Sequence, residues 1–259
     1  YIGIDPNAKD IVIEDITFTR NENIFNKADL IIFSHVVEHI VDLNEVEKSI
    51  HKIKKGGKVY IEVPDASRYS TYPRKEFLYQ IDRIHTNHFN NYSLFKLLNK
   101  NNLQCIACGR NDFEYKDGAF YPAFYMVGEL SPDINSKVTP EKRNSLTDLY
   151  QYWELEKEKA KTFRQTIGAE PIVVYGFGDN FFRSKTDSGP LDGLTIACVI
   201  DKQYKDLAQS KYSKEFNFLP IDLAIEKYKK NPFIITVSWG AQEIESNLRN
   251  LGVTRIYQI

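Results

Sequence analysis

At 259 residues, with 42% hydrophobic and 27% charged side chains, the chain can bury one large core or two modest ones, and no segment has the composition of a disordered tail. Its 34 basic and 35 acidic side chains leave a net charge of -1 and a pI near 6.6, so no one-signed field is available to hold a nucleic-acid backbone or an anionic membrane, and neither is an expected partner. Three cysteines, Cys105, Cys108 and Cys198, cannot build a disulfide framework, and without a signal peptide or an apolar run of about 18 residues the expected location is the cytoplasm.

The opening "YIGIDPN" reads as the end of a buried strand that stops at Asp5 and a turn. "DIVIEDITF" and "ADLIIFS" are β-rich runs, and "VDLNEVEKSIHKI" places Val41, Val46, Ile50 and Ile53 near helical spacing. "GGKVYIEVPD" predicts a strand launched by a Gly pair and stopped at Pro64. Strands separated by single helices imply a parallel sheet with helices on its faces. "YSLFKLLNKNN" is an amphipathic helix begun at Asn91 or Tyr92, and "LQCIACGR" and "FYPAFYMVGEL" lie close enough in sequence to pair antiparallel. Polar, turn-rich residues follow. Thr139, Pro140 and Glu141 predict the start of a charged helix that carries Leu146, Leu149, Tyr150, Trp153 and Leu155 and runs to about Gln165 as a connector. From "PIVVYGFGDN" a second alternating series begins, through "LTIACVID", "PIDLAIEKYKK", "PFIITVS" and "AQEIESNLRNLG" to "RIYQI", which makes a compact Rossmann-like half.

Ligands of open α/β sheets bind beyond the carboxyl ends of the strands. Four groups hold such places in the first series: Asp5, Glu14 with Asp15, Ser34 through His39, and Pro64 with Asp65. An acidic residue there can accept both hydroxyls of a ribose, or serve only as a turn former.

The stretch "ADLIIFSHVVEHIVDLNEVEKSIHKIKKGGKVYIEVPD" resembles the fourth to fifth strands of class I S-adenosylmethionine-dependent methyltransferases, with Val37-Glu38-His39 as the segment after the strand and Ile53-Lys54-Lys55-Gly56-Gly57 as the turn before the next. "YIGIDPN" matches the second strand of that family, and the likeness covers about Tyr1 to Leu130. It implies S-adenosyl-L-methionine as cofactor, with Asp5 on its ribose, Asp15 at the adenine edge and the backbone around Ser34 and His35 on its face. The family's first strand and glycine-rich turn have no counterpart, so the expected fold is an incomplete class I methyltransferase sheet over residues 1–131, a linker and long helix over 132–168, and a second, smaller Rossmann-like domain over 169–259. An interior strand left out would leave unpaired ladders, so a preceding segment or a companion chain is the expected supplier, and this chain alone is expected to bind the cofactor weakly. A circular permutation that moves the glycine motif to "VVYGFGDNFF" is the competing arrangement.

A second resemblance, carried by "FLYQIDRIHTNHFNNYSLFKLLNKNNLQ" and the C-terminal series, is to the sugar C-methyltransferases, whose acceptors are nucleotide-linked keto sugars. Their pattern Tyr-x-Glu-His-x-x-x-Phe falls on His85-Thr86-Asn87-His88-Phe89, and their first catalytic histidine on His39. The resemblance implies His88 and His39 as catalytic, with His85 and Asn87 shaping the acceptor site. Asn87 cannot take a proton as Glu would, so carbon and oxygen acceptors both stay open. For His39 and His88 a structural imidazole is the alternative; His35 and His51 read as structural or surface side chains.

Two other functions remain at this point: an NAD(P)-binding dehydrogenase or nucleotide sensor built on the C-terminal domain, and a non-catalytic assembly partner. "GFGDNF" is only a partial dinucleotide fingerprint, with Phe181 at the third glycine position and Asp201 ending the next strand. Cys105 and Cys108 lack a second pair, and His85 and His88 lack a carboxylate-rich helical partner set, so no metal is expected. Phe120, Tyr121, Phe124 and Tyr125 read as core, with one able to line a sugar pocket.

Overall fold

A computed structural model describes residues 2–4, 11–13, 16–19, 27–71, 76–81, 84–115, 119–131, 138–237 and 240–259. The chain is α/β and divides into two compact units, one of residues 1–67, 84–115 and 120–145 and the other of 68–83, 116–119 and 146–259.

The first unit opens with β1 (Ile2–Ile4), β2 (Ile11–Ile13) and β3 (Ile16–Thr19), which form their own sheet: β1 runs parallel to β3, and β2 pairs with β3 antiparallel. The β-rich run "DIVIEDITF" thus supplies β2 and most of β3, paired antiparallel. β4 (Ala28–Ser34) then lies parallel to β5 (Ile53–Pro64), β5 pairs antiparallel with β9 (Ala123–Leu130), and β9 pairs antiparallel with β6 (Leu103–Arg110). β7 (Phe113–Tyr115) and β8 (Ala119–Tyr121) form a separate pair. β4 stands at the edge of its sheet, and Leu30 and Ile32 are exposed there.

Between β4 and β5 the helix is shorter than its spacing predicts. α1 spans only Asn44–Ile50 and buries Val46 and Ile50, whereas Val41 is exposed and Ile53 already belongs to β5. The Gly pair sits inside β5 and not ahead of it. Gly56 has φ 76°, and a Cβ on Gly57 would lie 2.9 Å from the Lys54 carbonyl oxygen, so the pair permits the bulge that shifts register against Ala28 and Leu30. α2 (Asn91–Lys100) starts where its sequence indicates, because Asn90 and Ser93 cap it reciprocally, and it lays Leu94, Phe95, Leu97 and Leu98 on the sheet. With Val59, Ile61, Leu103 and Met126 these residues make the first core.

In the second unit α3 (Ser145–Ile167) begins later than the Thr139-Pro140-Glu141 signal predicts. Asn90 donates to the carbonyl of Arg143, and Val138 packs on the first core, so residues 138–144 serve the first unit and do not coil. The side chains α3 buries are Asp148, Tyr152, Glu156, Ala160 and Ile167, at helical spacing, while Leu146, Tyr150, Trp153 and Leu155 are exposed. Tyr152 meets Tyr69 edge to face at 5.6 Å, and burial beside Glu156 pushes its hydroxyl well above the ordinary tyrosine range.

The remaining elements are β10 (Ile172–Tyr175), α4 (Asp179–Ser184), β11 (Ile196–Ile200), α5 (Tyr204–Gln209), β12 (Phe218–Leu219), α6 (Ile221–Tyr228), β13 (Phe233–Ile235), α7 (Ala241–Asn250) and β14 (Ile256–Gln258). All five strands are parallel in the order β12-β11-β10-β13-β14, a doubly wound sheet that reverses direction between β10 and β13. α5 and the two-residue β12 are additions to the sequence reading. Alternate residues of β10 feed opposite faces: Ile172 and Val174 pack with Phe181, Leu191 and Phe218, and Val173 packs with Cys198, Phe233 and Leu248.

Candidate functional site

The chemistry-bearing side chains of the first unit gather beyond the carboxyl ends of β4 and β5. β4 ends at Ser34, and His35 turns the chain with φ 53°, a left-handed conformation that a non-glycine residue holds only where its surroundings enforce it. Here the His35 N–H donates to the Glu62 carbonyl at 2.9 Å, and the imidazole stands edge-on to Tyr121 at 5.5 Å. Its Nε2 lies 3.2 Å from Glu62 Oε1 and its Nδ1 3.3 Å from Glu38 Oε1, so one ring sits between two buried carboxylates.

Glu62 accepts from Ser34 Oγ at 3.2 Å, from the Tyr60 hydroxyl at 2.5 Å and from the amide of Asn111. Burial alone would raise this carboxyl; the bonds from Tyr60 and Asn111, the neighbouring His35 and the Ser34 hydroxyl outweigh burial and hold it below the usual carboxylate range. The same burial and the bond to Glu62 push the Tyr60 hydroxyl far up, so Tyr60 remains a donor at every working pH.

From Val37 to His39 the chain makes one 3-10 turn that points Glu38 inward. The segment Ile84–Phe89 folds back onto that turn. The N–H groups of Thr86 and Asn87 donate to the Glu38 carbonyl at 2.9 and 3.0 Å, and the Asn87 side-chain amide donates to the Ile40 carbonyl at 2.6 Å. Asn87 thus ties two loops together. The result is that His39 and His85, far apart in sequence, stack at 4.9 Å with their planes 27° apart. His88 is half-buried one residue before the bridge that joins Phe89 to Asp65, and Asp65 caps its own turn through Ser67.

Of the candidates drawn from the sequence, Ser34, His35, His39, His85 and Asn87 are brought into this one region, with His88 on the same loop. Asp5, Glu14 and Asp15 lie outside the described residues. His51 is exposed, Tyr125 stacks on Tyr60, and Phe124 and Tyr121 are buried. Glu62 and Asn111 went unnoticed in the sequence, and Glu38 appeared there only within a motif. A charged residue inside the otherwise apolar "VYIEVP" strand was the available signal for Glu62.

In the second unit Asp201 ends β11, but its carboxylate already accepts from the N–H of Phe177 at 3.0 Å and of Gln203 at 2.8 Å. Phe177 is ringed by Phe181, Phe182, Tyr212, Phe216 and Phe218, and the Asn180 amide bridges the carbonyls of Thr236 and Ile259. A Cβ on Gly176 would lie 2.7 Å from Val237 Cγ1 and 3.0 Å from Thr236 Oγ1, whereas the space at Gly178 is open.

Residues 1–107 match the family model described as "Methyltransferase domain". No curated protein matches. Among solved structures, the chain is similar to a SAM-dependent methyltransferase from Methanosarcina mazei at 17% identity and TM-score 0.34, covering 44% of this chain and 66% of that one. It is also similar to the YcgJ protein of Bacillus subtilis at 10% identity and TM-score 0.32, over 46% and 73%, and to TehB of Haemophilus influenzae at 15% and 0.32, over 45% and 42%. The chain thus spans a little under two thirds of the length of the Methanosarcina protein. What the comparisons give is a likeness of residues 1–107 to a methyltransferase domain.

Proposed function

We propose that the chain transfers a methyl group from S-adenosylmethionine to a sugar, most directly a nucleotide-linked sugar, at carbon or oxygen. The supporting observation is the gathering of His35, His39 and His85 with Glu38 and Glu62 beyond β4 and β5, all inside the segment matched as a methyltransferase domain. The donor chemistry fits the cofactor. It is cationic at its sulfonium and ammonium, and Glu62, held ionised, sets a negative charge at the end of the strands next to the turn at Ser34 and His35. When bound, the cofactor supplies a carbon already activated for in-line displacement.

The residues of the chain then have two tasks, alignment and proton removal. His35 is locked between Glu38 and Glu62 and shapes the cofactor side. Asn87 positions the loop that carries His85 and His88, and His88 is the base that takes the proton from the acceptor. His39 assists from the facing turn. The sugar assignment is supported by the likeness of His85-Thr86-Asn87-His88-Phe89 to the sugar C-methyltransferase pattern.

The test is product formation. The full chain, incubated with isotopically labelled S-adenosylmethionine and a panel of nucleotide-linked sugars, keto and non-keto, is expected to label at least one of them. Cofactor binding with label passing only to non-carbohydrate acceptors would overturn the sugar assignment, and no cofactor binding under any condition would overturn methyl transfer by this chain.

A further inference from the structure

The turn Val37–His39 and the loop that folds onto it hold an arrangement that methyl transfer does not require. Glu38, His39 and His85 each offer one ligand atom, and these atoms all lie within 4.8 Å of one another. Glu38 is 1% exposed, and neither of its carboxylate oxygens accepts a hydrogen bond among the described residues. A carboxylate taken out of water with its lone pairs unspent is costly unless a cation completes it. The nitrogens that face it are His35 Nδ1 at 3.3 Å and His39 Nε2 at 3.9 Å.

His39 is already oriented as a ligand. Its Nδ1 is 2.9 Å from the Ile84 carbonyl oxygen, which can only accept, so the neutral ring carries its proton on Nδ1 and its lone pair on Nε2, the nitrogen turned toward Glu38. A backbone carbonyl that fixes the tautomer of a ligating histidine in this way is the usual outer shell of a metal site. The two segments that carry the three residues are joined by the Thr86, Asn87 and Ile40 hydrogen bonds, so the spacing is preset before any ion arrives. A tetrahedral ion with bonds of about 2.0–2.1 Å would draw the ligand atoms to about 3.4 Å from one another, a closure of at most about 1.4 Å from their present 4.8 Å. His39, with its side chain 38% exposed, can make that adjustment and also gives an entry path.

We propose that Glu38, His39 and His85 bind one divalent transition-metal ion of the zinc class, with a coordination position left for an oxygen of the acceptor. One carboxylate and two imidazoles suit zinc and its neighbours; magnesium and calcium prefer all-oxygen sets. The His35 imidazole lies within 3.3 Å of Glu38 and 3.2 Å of Glu62 without hydrogen-bonding the Glu38 carboxylate, which leaves both of its oxygens for the ion. With the ion in place His39 Nε2 is a ligand and no longer a proton acceptor, which leaves the base role to His88, and an oxygen bound to the ion gives up its proton more readily. The open position for the acceptor rests on the methyl-transfer reading; the binding of the ion does not.

The full chain, stripped with a chelator and dialysed, is titrated with Zn²⁺ by calorimetry and with Co²⁺ by visible absorption, in the absence of cofactor and acceptor. The expected result is one ion per chain with the intense d–d bands of a tetrahedral site and no thiolate charge-transfer band. Glu38→Gln and His85→Asn are each expected to weaken binding at least tenfold, whereas Cys108→Ser leaves it unchanged. No uptake at micromolar ion, or full affinity retained in both ligand variants, overturns the proposal. Folding of each variant is checked by circular dichroism, and if Glu38→Gln does not fold, the half-buried His85→Asn decides. S-adenosylmethionine binding is measured on the same samples: a chain that takes the ion but not the cofactor keeps this site and loses the methyl-transfer reading, and the converse removes only the metal.

Discussion

Glu62 shows how one side chain at the end of a strand sets the local electrostatics. Its folded-state pKa is depressed below 4.5, so it contributes stability that is present above about pH 4.5 and is lost as the pH falls through the folded value. Replacing Glu62 by Gln removes that linkage. The variant is expected to show a flatter dependence of its urea midpoint on pH below 4.5 than the parent chain, measured by circular dichroism, and an equally steep dependence would show that the Tyr60 and Asn111 bonds do not hold the carboxylate ionised. His88 is tested by kinetics. If it removes the acceptor proton, a folded His88→Asn chain keeps its cofactor affinity while turnover falls by about 10²–10⁴-fold. His39→Asn is expected to cost less turnover, and near-normal turnover in His88→Asn would remove it from the mechanism.

Strand β6 shows what a single irregularity does to an element. The register against β9 slips between Cys105 and Ala107, which sets Cys105 opposite Gly128 and Cys108 opposite Met126 and so brings two cysteines three residues apart onto one face; they differ in burial, Cys105 being fully buried and Cys108 exposed. Burial pushes the Cys105 thiol up to about 11, and Cys198, buried in β11, up to about 12. Thiolates are the reactive form, so alkylation of the native chain near neutral pH is expected to modify Cys108 alone, with Cys105 and Cys198 reacting only after denaturation. Peptide mass spectrometry gives the sites, and rapid labelling of Cys105 would mean that β6 opens locally. At the turn after β10, Asp201 is engaged with the N–H groups of Phe177 and Gln203, and Phe177 packs among the aromatic rings of the second unit's core.

For the whole molecule these element-level facts give one comparison. NAD and NADP are expected to leave the melting temperature unchanged, while S-adenosylmethionine raises it in proportion to ln(1 + [L]/Kd), read by differential scanning fluorimetry. A saturable shift with either dinucleotide would make the second unit a nucleotide site after all. Among the described residues no helix is long and apolar enough to cross a membrane.

The strands and helices of the second unit were legible in the sequence because each is a local pattern: β10, β11 and β13 are continuous apolar runs set off by turns, and α6 and α7 are amphipathic over their own few turns. The start of α2 was legible too, since Asn90 and Ser93 satisfy the end of the helix they belong to. Where the backbone depends on a distant partner, the local pattern misled. The start of α3 moved because Arg143 gives its carbonyl to Asn90, and the Gly pair of β5 serves a bulge against Ala28 and Leu30. The same holds for the site. In the sequence Ser34 through His39 stand out because they follow a strand, and His85, Asn87 and His88 through their likeness to the sugar C-methyltransferase pattern, but only the tertiary structure stacked His39 on His85 and buried Glu38 beside them. Those contacts arise from hydrogen bonds between the backbones of the two loops, which side-chain periodicity does not record.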